Sequence, residues 1–124
     1  MKKIFIAAFM LVSSFGTNVM ADGHAIKMGI ILGFTGPIES LTPAMRDSAK
    51  LAFEEASASG SLLGGKKISV LEADSTCVDS AAATAAAEGL ISQGVAAIMG
   101  ADCSGVTGAI ASNVAVPNLS LIHI

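Results

Sequence analysis

Ser104 and Gly105 are the neighbouring residues in this chain best suited to hold an anion. They follow an apolar run at 95–99 and precede a segment with helical spacing, which places them at the start of a helix. A helix N-terminus offers free backbone N–H groups and a partial positive charge, so it suits a carboxylate. The serine hydroxyl adds a donor, and glycine lets a ligand approach the backbone. Ser104 could instead cap its own helix, and these residues alone leave both interpretations open.

Cys77 and Cys103 are the only two cysteines of the chain. No further cysteine and no nearby histidine could complete a zinc site, so no metal site is predicted. In an oxidising compartment an even pair indicates a disulfide. Both cysteines fall in loops that follow predicted strands, so a bridge between these loops is the expected arrangement.

Two carboxylates, Asp74 and Asp79, lie between a predicted strand and a predicted helix. As a pair they could bind a metal or act as acid and base, but we favour Asp79 as the N-cap of the helix. The histidines, His24 and His123, complete no Ser-His-Asp set. We therefore predict that the protein is not an enzyme.

The segment 60–67 nearly matches a phosphate-binding Walker loop. It ends in Lys67 where serine or threonine should hold magnesium, and it leads from helix to strand instead of from strand to helix. We interpret it as a surface turn.

The composition sets further limits. With 124 residues the chain is long enough for one small domain, and 52% hydrophobic residues exclude a disordered chain. The net charge is −3 and five phenylalanines are the only aromatic residues, so we expect no binding to nucleic acid.

Residues 1–21 have the pattern of a secretory signal peptide, with Lys2 and Lys3 before an apolar run at 4–12 and cleavage expected after Ala21. The run is shorter than the roughly 20 residues of a membrane-spanning helix. We therefore predict export and cleavage, which place both cysteines in an oxidising compartment. Because the segment holds two lysines and no acid, its removal changes the net charge from −3 to −5.

Three strand–helix units follow. Strands are predicted at 26–32, 67–73 and 95–99, and helices from Thr42-Pro43 to Gly60, over 80–93 and over 104–115, with Thr42 as the first cap. Val116-Pro117 is expected to begin another strand. Since the strands are apolar on both faces, this order predicts an α/β fold with a parallel sheet between helices. Ligands bind beyond the carboxyl ends of such strands, which here carry the loops 33–41, 74–79 and 100–104.

Each predicted helix has one apolar face, which we expect to pack on the sheet. The inward residues are, in chain order, Met45, Ala49, Ala52, Phe53 and Ala56, then Ala83, Ala86, Ala87, Leu90 and Ile91, then Val106, Ile110 and Val114.

Several short segments are each too common to indicate a family alone. Their order, their spacing and the paired cysteines together do indicate one. They are Ile26-Lys27-Met28-Gly29-Ile30-Ile31-Leu32, Thr35-Gly36-Pro37, Ala52-Phe53-Glu54-Glu55-Ala56, Gly64-Gly65-Lys66-Lys67-Ile68, Asp74 with Cys77, and 94–100 with Cys103-Ser104. Through them the sequence, from residue 26 to about 117, resembles the N-terminal part of a type I periplasmic binding protein. The group is that of the branched-chain amino acid (Leu/Ile/Val) receptors of ABC transporters.

This resemblance implies two α/β lobes that close on a small solute in the periplasm, without a cofactor. It implies a bridge between Cys77 and Cys103, and a Ser104 hydroxyl that donates to the α-carboxylate of the solute, with Gly105 beside it. Relatives place an aromatic residue in the first loop near the solute side chain, where this chain has Leu41. The implied ligand is a branched-chain amino acid, and amides, urea and other amino acids stay open.

The resemblance also divides the chain into a signal peptide (1–21), a partial N-terminal lobe (22–118) and a tail (119–124). The tail reads as a translation of CTG-TCT-CTT-ATA-CAC-ATC, a transposon end sequence used to prepare sequencing libraries. We therefore expect the tail to be non-native and the natural gene to continue differently.

The function implied is that of the substrate-binding component of an ABC importer, which delivers its solute to a membrane permease. The alternative is an extracellular ligand-binding domain of a sensory receptor, which a transmembrane segment in the complete gene would favour. A small secreted flavodoxin-like enzyme would need a nucleophile–base pair or a cofactor loop, and the sequence offers neither.

Overall fold

The strands and helices alternate along the chain as the sequence predicted. The computed structural model describes residues 25–119, except the side chains of Leu63 and Leu119. The elements are β1 (Ile26–Leu32), α1 (Thr42–Ala58), β2 (Ile68–Asp74), α2 (Ser80–Ser92), β3 (Ala97–Gly100) and α3 (Ser104–Ile110). The predicted signal peptide and residues 120–124 of the predicted tail lie outside the described residues.

Strand β1 is the centre of a three-stranded parallel sheet in the order β2-β1-β3. Its apolar residues are buried because neighbours and helices surround them on every side, with Ile30 and Ile31 fully buried. Side chains alternate along a strand, so these two point to opposite faces of the sheet. Ile31 belongs to the core with α2 and α3. Glu72, in register with Ile30, forms an ion pair with Lys50 of α1, so helices cover both faces.

The face covered by α2 and α3 holds the main core. All inward residues predicted for these two helices are buried in this core or packed against it. The alanines of α2 let the helix lie close to the sheet: a Cβ on Gly29 would stand 3.0 Å from Cδ1 of Leu90. Burial of a side chain such as Leu90 contributes about 1.5–3 kcal/mol.

Helix α1 is less deeply packed than predicted. Ala49, Phe53 and Ala56 are half-buried, whereas Ala52 is exposed and Met45 is 43% exposed. The helix lies against β1 and β2, and its contact with the sheet is partly ionic, since Lys50 lies 3.0 Å from Glu72.

Thr42 does not have the predicted role of a cap. Helix α1 begins at Thr42 itself, no side chain caps it, and Pro43 stands in its first turn. Thr42 is fully buried, and its hydroxyl donates to the carbonyls of Gly33 and Glu39, each at 3.2 Å. A buried carbonyl that lacks a strand partner requires such a donor, and this requirement outweighs capping.

The prediction of a strand beginning at Val116-Pro117 is wrong. After α3 the chain continues as a π-helical turn, Ala111–Ala115, and then as α4 (Val116–Leu119). Val114 stays buried while Val116 is 65% exposed. Proline has no N–H to donate, and the wider π turn in front of it tolerates that loss. Within residues 25–119, no strand pairs with the outer edge of β3.

No helix in the described part of the chain is both long and apolar enough to cross a membrane.

Asp79 confirms its predicted role as the N-cap of α2, because its carboxylate accepts the N–H groups of Ala81 and Ala82 at 2.9 and 3.0 Å. We expect Asp79→Ala to lower the free energy of unfolding by about 1 kcal/mol, since these donors lose their acceptor. Asp79→Asn keeps an acceptor oxygen and should stay close to wild type in urea denaturation. Equal stability of the two variants would contradict this assignment.

Candidate functional site

Three loops meet at one edge of the sheet because the three strands are parallel and end there. We call these the first loop (33–41, after β1), the second loop (75–79, after β2) and the third loop (101–103, after β3). The second loop continues the sheet for one more bond, since Ser75 N–H donates to Leu32 O at 2.8 Å. Together the loops form the edge where ligands of such sheets bind.

Gly33 is the point at which the three loops touch. Its N–H donates to Oδ2 of Asp102 in the third loop at 2.9 Å. Its carbonyl accepts the hydroxyl of Thr42 at 3.2 Å. A Cβ at this position would stand 3.2 Å from Cβ of Cys77 in the second loop, a tighter contact than Cβ atoms usually make, so glycine favours the close approach of these loops.

The predicted disulfide between Cys77 and Cys103 is present and joins the second loop to the third. The two Cα atoms lie 5.3 Å apart, and the described residues contain no free cysteine. Thr76 and Cys77 have φ of 56° and 69°, a left-handed conformation that costs a residue with a Cβ roughly 1–2 kcal/mol. The crosslink and the hydrogen bonds of Asp74 hold the loop in this conformation.

Asp74 holds the first and second loops together. Its carboxylate accepts the Thr35 hydroxyl at 2.6 Å, Thr35 N–H at 3.3 Å and Thr76 N–H at 2.8 Å. Burial alone would raise the pKa of Asp74, but these hydrogen bonds favour the charged form and hold its pKa below the ordinary value. Asp79 instead caps α2 through its Oδ1, so the two carboxylates bind different parts of the backbone.

Ser104 and Gly105 are exposed and occupy the first two positions of α3. The residue at the N-cap position is Cys103, and no side chain caps the helix. The alternative in which Ser104 caps its own helix is therefore not what the structure shows. Among residues 25–119 the Ser104 hydroxyl has no hydrogen-bond partner, and a Cβ on Gly105 would meet nothing within 4 Å. The start of α3 thus presents a free hydroxyl, free N–H groups and open space.

Leu41, the third predicted site residue, is the last residue of the first loop. It precedes α1 and its side chain is 61% exposed. Because β1 and β3 are neighbours in the sheet, the first and third loops are adjacent, and Leu41 lies in the loop next to Ser104.

Sequence reasoning did not assign the residues that hold this edge together. The sequence leaves open whether Asp102 caps the helix, points away from the site or meets an ammonium group of a ligand, and the structure places its carboxylate on Gly33 N–H. Thr107 was not singled out, yet its hydroxyl donates to the carbonyls of Ala101 and Cys103, each at 2.9 Å. The available signal for Asp102 was a polar residue shortly after a predicted strand, which does not say where its partner is.

The Walker-like segment 60–67 is a surface turn, as we interpreted it. A single 3₁₀ turn, Leu62–Gly64, joins α1 to β2 there, and Gly65 has φ of 85°. The segment precedes β2, so it lies at the sheet edge opposite the three loops.

An apolar cavity of about 110 Å³ lies between β3 and the helical segment that follows it. Ile98, Ile110 and Ala115 are among its lining residues, and the hydroxyl of Thr107 is already engaged with backbone carbonyls. The cavity offers no charged group, and the start of α3 remains the better candidate for an anion.

A family model described as "Periplasmic binding protein" matches residues 25–122. The chain therefore belongs to the periplasmic binding protein family, and the predicted type I fold is confirmed. No curated protein matches the chain.

Among solved structures, the chain is similar to the branched-chain amino acid transporter substrate binding protein LivJ from Streptococcus pneumoniae, in complex with isoleucine. The identity is 30% and the TM-score 0.66, over 76% of this chain and 26% of that chain. The chain thus spans about a quarter of LivJ. The family and LivJ are both binding proteins and not enzymes.

The disulfide between Cys77 and Cys103 should contribute strongly to the free energy of unfolding. Closing a loop with a separation of 26 residues stabilises by roughly 3–4 kcal/mol. We expect the double variant Cys77→Ser/Cys103→Ser to lose about this much in urea denaturation, and reduced wild type to match it. Coincident unfolding curves for oxidised and reduced wild type would disprove the contribution.

Asp74 should make stability depend on pH in the acid range. Its pKa is lower in the folded state than in the unfolded chain, so its contribution is complete above the unfolded pKa of about 4 and is lost as the pH falls through the folded pKa. In Asp74→Asn this loss should be absent. The difference in free energy of unfolding between wild type and Asp74→Asn should therefore be largest near pH 6 and shrink below pH 4. A difference that is constant with pH would refute the contribution of Asp74 to the pH dependence of stability.

Proposed function

We propose that this chain is the N-terminal part of an exported, two-lobe receptor that captures a small amino acid or amide for an ABC importer. Three observations support the proposal: the periplasmic binding protein family, the likeness to a protein solved with isoleucine, and the signal-peptide pattern of residues 1–21. The proposed localisation is the periplasm, and the proposed partner is a membrane permease that receives the solute.

The observation that carries the proposal is the free start of α3 at the edge where the loops meet. Ser104 and the N–H groups of the first turn would donate to the solute carboxylate, and the missing side chain of Gly105 leaves room for it. Leu41 would contact the solute side chain from the first loop. No chemical step follows, because the role of such a site is to hold the solute.

The charges favour a solute with no net charge. Without residues 1–21 the chain carries a net charge of −5, which repels anions over a distance. Arg46, in α1 after the first loop, is held by Asp47 at 2.8 Å and lies 4.0 Å from Glu72. Within this part of the receptor, a carboxylate at α3 would therefore be bound by neutral donors, and this suits a zwitterionic amino acid better than a free anion.

The proposal is tested by calorimetric titration of the complete exported protein with isoleucine, leucine, valine, asparagine, acetamide and urea. We expect saturable binding of at least one, with branched-chain amino acids tightest. Binding of none of these solutes would overturn the proposed function. Uptake of the bound solute by cells should be lost when the gene is deleted, and unchanged uptake would overturn the importer role.

Ser104→Ala should weaken binding of that solute by about tenfold to a hundredfold, the effect of losing one hydrogen bond to a charged group. The matched control is Ser112→Ala, the same chemical change at an exposed position of the helical segment that continues α3. It should leave the affinity unchanged. An affinity of Ser104→Ala equal to that of the control would remove Ser104 from the site.

A further inference from the structure

The third loop is short, and it determines where Ser104 stands. It consists of three residues between the end of β3 at Gly100 and the start of α3. Thr107 ties it to its own helix through the carbonyls of Ala101 and Cys103. The disulfide ties it to the second loop.

The link from the third loop to the first loop is made by Asp102. Its Oδ2 accepts Gly33 N–H at 2.9 Å, across 69 residues of sequence. A hydrogen bond with a charged acceptor is stronger than a neutral one, so this contact resists a shift between the two loops. The first loop ends at Leu41 and the third is followed directly by Ser104, so both proposed solute contacts depend on how these loops are set.

The carboxylate of Asp102 is directed into the protein. Its second oxygen, Oδ1, is buried, and no hydrogen-bond partner for it exists within the described part of the chain. An acid next to a carboxylate-binding serine would repel the solute if it faced outwards. In this arrangement its carboxylate accepts the hydrogen bond of Gly33 N–H instead.

We propose that Asp102 is a positioning residue of the solute site: through Gly33 N–H it fixes the Ser104 turn against the first loop without touching the solute. This inference rests on the proposed function for its effect on affinity. A preorganised turn binds more tightly because less order has to be imposed when the solute arrives.

The test compares Asp102→Ala with Asp102→Asn in the complete exported protein. Asp102→Ala removes the acceptor and should raise the Kd of the tightest-binding solute of the six by about tenfold, which is the order of effect that losing an outer supporting contact has at metal sites. Asp102→Asn keeps an acceptor oxygen for Gly33 N–H. Its NH₂ can take the position of Oδ1, which accepts no hydrogen bond from the described residues of wild type. Its Kd should stay within about threefold of wild type.

The matched control is Asp79→Ala, which removes another backbone-binding carboxylate from the same edge of the sheet. It should lower the melting temperature without changing the Kd, whereas Asp102→Ala should change both. An unchanged Kd in Asp102→Ala, or a Kd in Asp79→Ala raised equally, would overturn the positioning role while leaving the proposed function intact.

Amide hydrogen exchange gives a second readout that needs no solute. Exchange at Gly33 and at Thr107, whose N–H donates to the carbonyl of Cys103 in the third loop at 2.9 Å, should be faster in Asp102→Ala than in wild type, and unchanged there in Asp79→Ala. If exchange at Thr107 is unaffected by Asp102→Ala, Asp102 does not hold the turn. If wild type binds none of the six solutes, the proposed function fails, and the exchange result alone decides whether Asp102 fixes Ser104.

Discussion

The backbone of Gly33 is the point on which the candidate site depends. Its N–H donates to the carboxylate of Asp102, and its carbonyl accepts the hydroxyl of Thr42. Its Cα, which carries no side chain, packs against Cys77. A Cβ at this position would stand 3.2 Å from Cβ of Cys77, so a side chain there would crowd the second loop. Because the three loops meet at one small residue, Gly33 sets how closely they approach one another.

Three acidic residues at this edge, Asp74, Asp79 and Asp102, bind the backbone of the protein. Asp74 holds Thr35 and Thr76, Asp79 caps α2, and Asp102 holds Gly33. Each carboxylate has N–H or O–H donors from the chain itself, which satisfies a charge that would otherwise be costly at a half-buried edge. The start of α3 has no side-chain cap either, and we propose its N–H groups and the Ser104 hydroxyl as the donors for an acceptor group of a solute.

Much of this arrangement could be read from local patterns. The spacing of apolar residues predicted three strands, three helices and the inward faces of α2 and α3, because burial repeats with the period of each element. Asp79 was predicted as a cap because a cap bonds within three residues of itself. The disulfide was predicted because only two cysteines exist, and both follow strands that end at the same edge.

Other features could be decided only by the tertiary structure. The sequence shows that Asp102 and Thr42 are polar residues near element ends, but their shared partner, Gly33, is brought to them by the pairing of β1 with β3 and by the packing of α1. The same holds for Val116, where the sequence predicted a strand and which continues a helix anchored by the buried Val114. The period of apolar residues indicates most helices and strands, because burial repeats along each element, whereas the partner of a side chain 69 residues away is determined by which strands lie side by side.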